Sequence, residues 1–157
     1  MRALRIVDAL ELAAAYAGAE YAVVMDGDAL PLRVGRPASD LEAYLPARSY
    51  ALITAWNPAS IPHSDAANES ANAALVARLD AAGIARQPAQ GYSSDGQWRE
   101  PGWLLFDVGE MGLDLLAREF GQAGVLAWAF GEPVRLRMLM PRPAQPVPEA
   151  CIDWAGA

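Results

Sequence analysis

"SYALITAW", residues 49–56, is the stretch whose reading decides the fold. In a strand, successive side chains point to opposite faces, so a half-buried strand alternates apolar with polar residues. Here both sets of alternating positions are apolar apart from Ser49 and Thr54. That pattern predicts a central strand covered on both faces. It then runs into "NPAS", residues 57–60, which reads as a loop.

Working toward the C-terminus, Ser64 and Asp65 open a helix that runs to about residue 82 and is stopped by Gly83. "IARQPAQ", residues 84–90, predicts a short edge strand interrupted by Pro88. A polar loop follows at 91–101, "GYSSDGQWREP", then a buried strand at 102–109, "GWLLFDVG". Residues 110–121 predict a helix with Leu113, Leu116 and Phe120 on one stripe. Two closing strands, 125–130 and 134–139, flank a turn at Gly131 and Glu132.

Toward the N-terminus, residues 21–27 and 30–35 read as a hairpin around "DGDA", with Pro31 suited to a strand start or edge. Ser39 predicts the N-cap of a short helix, "DLEAYL", closed by Pro46. Leu4, Val7, Leu10, Leu12 and Ala14 give an opening helix that ends near Gly18. The sum is an α+β fold: about six to seven strands in a mostly antiparallel or mixed sheet, with three to four helices. The hairpins could bend that sheet into a small barrel. Residues 1–140 are expected to form a single globular domain. Residues 141–157 form a tail rich in proline and alanine, and Trp154 suggests that it docks back.

Bulk composition narrows the function classes. The 157-residue length suits one domain, and 54% hydrophobic content supplies a core. Every basic residue is arginine, and the net charge of -7 disfavours nucleic acid, which needs a basic stripe. Arg135 and Arg137 alternate on one strand and read as a solvated face. The single cysteine, Cys151, permits no internal disulfide and fits a reducing, cytoplasmic compartment. No apolar run is long enough for a membrane span. One histidine and one distant cysteine give no zinc set, and neither a G-x-S-x-G elbow nor a glycine-rich phosphate loop is present.

What remains is a set of amides, aromatics and carboxylates. Asn68, Asn72, Leu75 and Leu79 share a helical stripe, so the two asparagines continue the core face toward the helix start. They either tie down the loop backbone or line a polar pocket over the strand end. Asn57 precedes a proline, which favours extended geometry and turn-making bonds. Asp95 and Glu100 flank Trp98 in the polar loop; they read as a solvated turn or as an acid–base pair, with Glu100 the better candidate. Gln122 follows a helix end whose exposed carbonyls it could bond.

In chain order, "ALITAWNPAS" (51–60), "NESANAAL" (68–75), the loop ending in "WREP" (98–101) and "REFGQ" (118–122) together resemble a bacterial family known as domain of unknown function 3293. The similarity covers roughly residues 21–134. Ala59 stands where the family usually has a larger residue. The resemblance implies no reaction, substrate or cofactor. It marks Thr54, Trp56, Asn57, Asn68, Glu100 and Gln122 as matching positions, and Asn72 joins them from the helical stripe.

The resulting expectation is a small soluble binding or regulatory module, with a polar pocket or bracket at the "WNP" turn for a small polar ligand or peptide. No cofactor or metal is called for. One alternative is a metal-independent hydrolase or transferase using Glu100, although no convincing catalytic constellation stands out. Another is a protein-interaction module, with nucleic acid a weaker option.

Overall fold

The computed structural model describes residues 8–92, 99–147 and 150–156. Leu4 and Val7 of the opening helix, and Asp95 and Trp98 of the polar loop, lie outside them. In chain order the elements are α1 (Ala9–Gly18), β1 (Glu20–Met25), β2 (Asp28–Leu32), α2 (Ser39–Tyr44), β3 (Ser49–Ile53), a 3-10 turn (Pro58–Ser60) and α3 (Asp65–Ala81). Then come β4 (Arg86–Tyr92), β5 (Arg99–Phe106), α4 (Glu110–Glu119), β6 (Gly124–Ala129), β7 (Arg135–Met138) and β8 (Ile152–Trp154).

All eight strands form one mixed sheet in the order β2-β1-β4-β5-β3-β6-β7-β8. Neighbours are antiparallel except β7 and β8, which are parallel. The sheet curls into a half-barrel and stays open, with β2 and β8 at its edges. The α+β expectation holds, with one strand more than the upper estimate. The extra strand is β8, in the stretch expected to be a tail.

β3 explains why the sheet is covered twice. Tyr50 and Leu52 enter a core shared with Leu12 of α1 and Leu41 of α2. Ala51 and Ile53 enter a second core, shared with Leu75 and Leu79 of α3 and Leu113 and Leu116 of α4. Leu104 and Leu105 of β5 divide in the same way. Each fully buried leucine contributes roughly 1.5–3 kcal/mol of hydrophobic stabilisation. On the first face Tyr50 stacks on its cross-strand neighbour Trp128, with ring centroids 5.2 Å apart. Glu42 of α2 is 5% exposed; it accepts from Trp128 Nε1 at 3.2 Å and from the Gly131 amide at 2.7 Å, fixing α2 to the β6–β7 turn.

Three local expectations are corrected. β4 is not an edge strand: it lies between β1 and β5. Pro88 is tolerated there because β1 pairing stops at Ala89, and the Gln87 side chain instead donates to the Val24 carbonyl at 2.8 Å. Ser39 is not the N-cap of α2 but its first residue; Ala38 holds the cap position, with no side-chain bond. Arg135 and Arg137 do not form a solvated face. Arg135 makes a bidentate pair with Asp153 of β8, and Arg137 makes one with Asp114 of α4. Elements packed against β7 bring carboxylates to both guanidiniums.

No helix among the described residues is long and apolar enough to cross a membrane.

Candidate functional site

The site grows from the end of β3. Past Ile53, Thr54 Oγ1 donates to the Pro101 carbonyl at 2.7 Å and accepts from the Trp56 amide at 3.0 Å. One hydroxyl thus ties the departing chain to β5 and begins the turn. Gly102 permits the close approach, since a Cβ there would lie 2.5 Å from the Ile53 carbonyl oxygen.

The next residues hold an uncommon backbone. Asn57, Ala59 and Ser60 have φ of 45°, 55° and 60°. Left-handed backbone costs a non-glycine residue about 1–2 kcal/mol, and Asn tolerates it better than most. Asn57 is therefore not in the extended geometry expected before proline. Its own hydrogen bonds account for the difference. The Asn57 amide donates to Asn68 Oδ1 at 2.9 Å, and Asn68 Nδ2 donates back to Asn57 Oδ1 at 2.9 Å. Asn57 Oδ1 also accepts from the His63 amide at 2.9 Å, and Asn57 Nδ2 donates to Glu100 Oε1 at 3.0 Å. At roughly 0.5–1.5 kcal/mol each, these four bonds offset the strain.

α3 aims Asn68 because its start is fixed. Ser64 caps it by accepting from the Ala67 amide, Gly83 ends it at φ +67°, and Leu75 and Leu79 set its rotation. Asn68 is then 2% exposed and Asn57 9%. Asn72, one turn further along α3, accepts from Trp103 Nε1 at 2.9 Å. Gln122, just past α4, donates to the carbonyls of Trp56 at 3.2 Å and Phe120 at 3.3 Å. It therefore does bond a helix-end carbonyl and also holds the turn. The Ala59 amide adds a bond to the Gly121 carbonyl at 2.8 Å. Gly121, at φ +65°, leaves room for Pro58, which a Cβ would meet at 3.0 Å.

This bracket is closed, but a recess opens beside it. A hollow of about 70 Å³ is lined on its polar side by Thr54, Asn57, Ser60, Glu100, Gln122, Tyr16 and Tyr21, and otherwise by Leu52, Val125, Leu126, Leu136 and Gly124. The Tyr16 hydroxyl forms a very short hydrogen bond with Ser60 Oγ, and the Tyr21 hydroxyl donates to the Tyr16 carbonyl at 2.7 Å. Burial pushes the Tyr16 hydroxyl above its usual pKa; the Glu100 charge adds to this and the Ser60 bond opposes it. Burial likewise raises Tyr21, with the charges of Tyr16 and Glu100 adding. Both phenols therefore stay protonated at neutral pH.

The candidates thus divide. Thr54, Asn57, Glu100 and Gln122 line the recess, whereas Trp56, Asn68 and Asn72 do not. Glu100 sits on β5 opposite Gly91, not in a loop. Tyr16, Tyr21 and Ser60 are not among the seven candidates. Tyr16 follows Leu12 by four residues, a spacing that turns it toward the sheet, but nothing local reveals that it meets a residue 44 positions away. His63 contributes only its backbone, and its side chain is exposed. Two wider hollows occur elsewhere. One, of about 300 Å³, lies between α3 and α4 beside Ile84 and Leu115; the other, of about 550 Å³, lies beside Arg142 and Trp154. Neither is lined by any of the seven candidates. Among the described residues, no three of His, Cys, Asp and Glu gather so as to hold a metal ion.

Residues 53–125 match the model of a family described as Protein of unknown function (DUF3293). The resemblance is borne out over that span, which is narrower than residues 21–134. It contains all seven candidates and Ser60, while Tyr16 and Tyr21 fall before it. No curated protein and no solved structure matches the chain.

Proposed function

We propose that this chain, with its DUF3293 stretch at the centre, is a small cytoplasmic binding module whose site is the recess beside the Asn57–Asn68 bracket. The observation that carries this reading is a hollow of mixed polar and apolar lining next to a strained turn. Ser60, at φ 60°, points its hydroxyl to Tyr16, and Glu100 and Gln122 face the same space. Backbone strain of this kind persists where surrounding bonds over-determine it, and it concentrates at ligand sites. The volume of about 70 Å³ admits a few waters, or the end group of a longer molecule such as a peptide. The lone thiol, Cys151, fits a reducing compartment.

Thermal unfolding of the full chain with small polar compounds and short peptides tests this. A ligand at a hundred times its Kd adds about 2.7 kcal/mol, or roughly 5–10 °C for a domain of this size. Wild type is expected to show such a rise, and Tyr16→Phe, which leaves the bracket intact, is expected to lose it. If no compound raises Tm, or the rise survives in Tyr16→Phe unchanged, the reading fails.

A second reading, hydrolysis or group transfer with Glu100 as general base, is favoured by Glu100 and the Ser60 hydroxyl lining one recess. Tyr16 does not assist as a base, because burial keeps its proton on. Turnover of small esters that Glu100→Gln abolishes would support this reading over simple binding.

A further inference from the structure

We infer that the groove between α3 and α4 is a self-association surface, in which a second copy of this chain seats the Met111 and Leu115 side chains of its own α4 about a two-fold axis. The groove is separate from the recess, and the two share no lining residue.

α4 carries more apolar surface than its own fold consumes. Leu113, Leu116 and Ala117 are buried in the core over the sheet, Asp114 is bonded to Arg137, and Glu119 reaches Arg78 of α3. Met111 and Leu115 take part in none of these contacts. They stand one turn apart on a single stripe and are 81% and 63% exposed. Beside Leu115 opens the hollow of about 300 Å³, walled by Ala81 and Ala82 at the end of α3 and by Ile84, Val108 and Leu116. Gly112 also lines this hollow. Glycine weakens a helix relative to alanine, and packing within the chain does not require it here. A Cβ at Gly112 would meet only Val108 Cγ1, at an ordinary 3.7 Å. The gain lies outside the monomer, because a bare patch of helix lets a second helix approach closely.

Three features fit a second copy better than an unrelated partner. Knob and hollow adjoin on one face, and an interface about a two-fold axis must be complementary to itself. Methionine adapts to irregular gaps, so the knob suits a hollow of this kind. The rim also bears both signs: Arg78 lines the groove, and its partner Glu119 lies 3.0 Å away in an exposed ion pair. An axis through the groove sets Arg78 of one copy beside Glu119 of the other, so charge is matched on both sides at once. Burying Met111 and Leu115 from both copies supplies the driving force.

Sedimentation equilibrium of the full chain over a range of concentrations tests this. Wild type is expected to pass from the chain mass of 16.7 kDa toward twice that value as concentration rises. Leu115→Glu and Met111→Glu alter exposed side chains and leave the monomer folded. Each is expected to weaken the dimer at least about tenfold, because each substitution enters a two-fold interface twice and buries a charge there. Arg78→Glu and Glu119→Arg should each self-associate less than wild type, while an equal mixture of the two regains the dimer, since opposite signs then meet across the axis. That recovery is specific to the interface, because mixing does not restore the ion pair within either chain. A mixture that stays as weak as its components overturns the two-fold arrangement. A chain that remains at 16.7 kDa at every concentration overturns the inference. So does a wild-type dimer that Leu115→Glu and Met111→Glu leave untouched, because it uses another face. So does a monomer in which a helical leucine–lysine peptide shifts the backbone amide NMR signals of Gly112 and Leu115, because the groove then serves a different protein.

Discussion

The Asn57–Asn68 bracket and the Tyr16–Ser60 recess share a turn and differ in almost everything else. The bracket is a neutral, reciprocal clasp in which amide meets amide and backbone, and both asparagines are buried. The recess sets hydroxyls, the Gln122 amide and one carboxylate beside Leu52, Val125, Leu126 and Leu136, and its hydroxyl groups are only partly buried. Asn57 belongs to both, with Oδ1 in the clasp and Nδ2 on Glu100. The difference teaches that a cluster of polar residues at a strand end is not one unit. Its clasped half sets geometry, and its open half leaves a hollow beside that clasp. Substitutions separate the halves, and their effects on stability should fall in a definite order.

Breaking the clasp has the largest effect. Asn68→Ala removes the acceptor of the Asn57 amide and the donor to Asn57 Oδ1, both in a dry setting. A buried group left without a partner costs roughly 1–3 kcal/mol, so a loss of about 2–4 kcal/mol is expected in urea unfolding at pH 7. Asn57→Ala combined with Asn68→Ala should cost clearly less than the sum of the two, because both act on one clasp. Strict additivity would show that the two amides do not form a unit.

Acid sensitivity sharpens the contrast next. Amides do not titrate, so the clasp's contribution is independent of pH. The carboxylates that face β7 do titrate. Asp114 is held below the usual carboxylate range by its bidentate bond to Arg137, against the opposing effect of burial, and its side chain is only 13% exposed. A depressed folded-state pKa gives stability that is fully present above the unfolded value near 3.9 and is lost as pH falls through the folded value. Asp153 shifts the same way through Arg135, but its side chain is 40% exposed and so contributes less. Unfolding followed from pH 6 to pH 2 should therefore steepen below about pH 4. Asp114→Asn should flatten that fall, and Asn68→Ala should leave its shape unchanged.

How much of this was legible in the sequence follows from the range of each interaction. The two-faced burial of β3 is written in its unbroken apolar run, and the limits of α3 in Ser64 and Gly83, because those signals are local. The Asn68–Leu79 stripe placed the clasp residue correctly, since helical period alone decides which face it shares. β4 was misplaced because proline disfavours central strands; only the partner's length shows that β1 pairing ends one residue short of Pro88. The pairing of Tyr16 with Ser60 is not legible in the sequence. Their meeting depends on how α1 lies over the sheet and on a left-handed φ at Ser60 that no residue type in "NPAS" demands. β8, three residues long, carries too little pattern to read.

Relief of strain gives smaller effects. Ala59 is exposed, lies at φ 55° and does not line the recess. Ala59→Gly should stabilise by about 0.5–1 kcal/mol, since glycine takes that backbone without steric cost but loses more chain entropy on folding. Thermal unfolding reads the gain, and ligand affinity should not move. A loss of stability would mean that the turn is not strained at this position.

Ser60 is the finest discriminator, because strain and function meet in one residue. Its φ of 60° makes glycine the relaxed choice, and its hydroxyl touches only the partly buried Tyr16. Ser60→Ala keeps the strain and removes one hydrogen bond, so stability should fall by about 1 kcal/mol or less. Ser60→Gly removes the same bond and the strain together, so its stability should return to near wild type. If the hydroxyl were there only to hold α1 down, each variant would bind as wild type does, within what its stability allows. If it serves a guest, both variants lose binding alike although their stabilities differ. Measuring Tm and affinity on this pair therefore separates the turn's structural role from its occupant's, at a site where a single oxygen belongs to both.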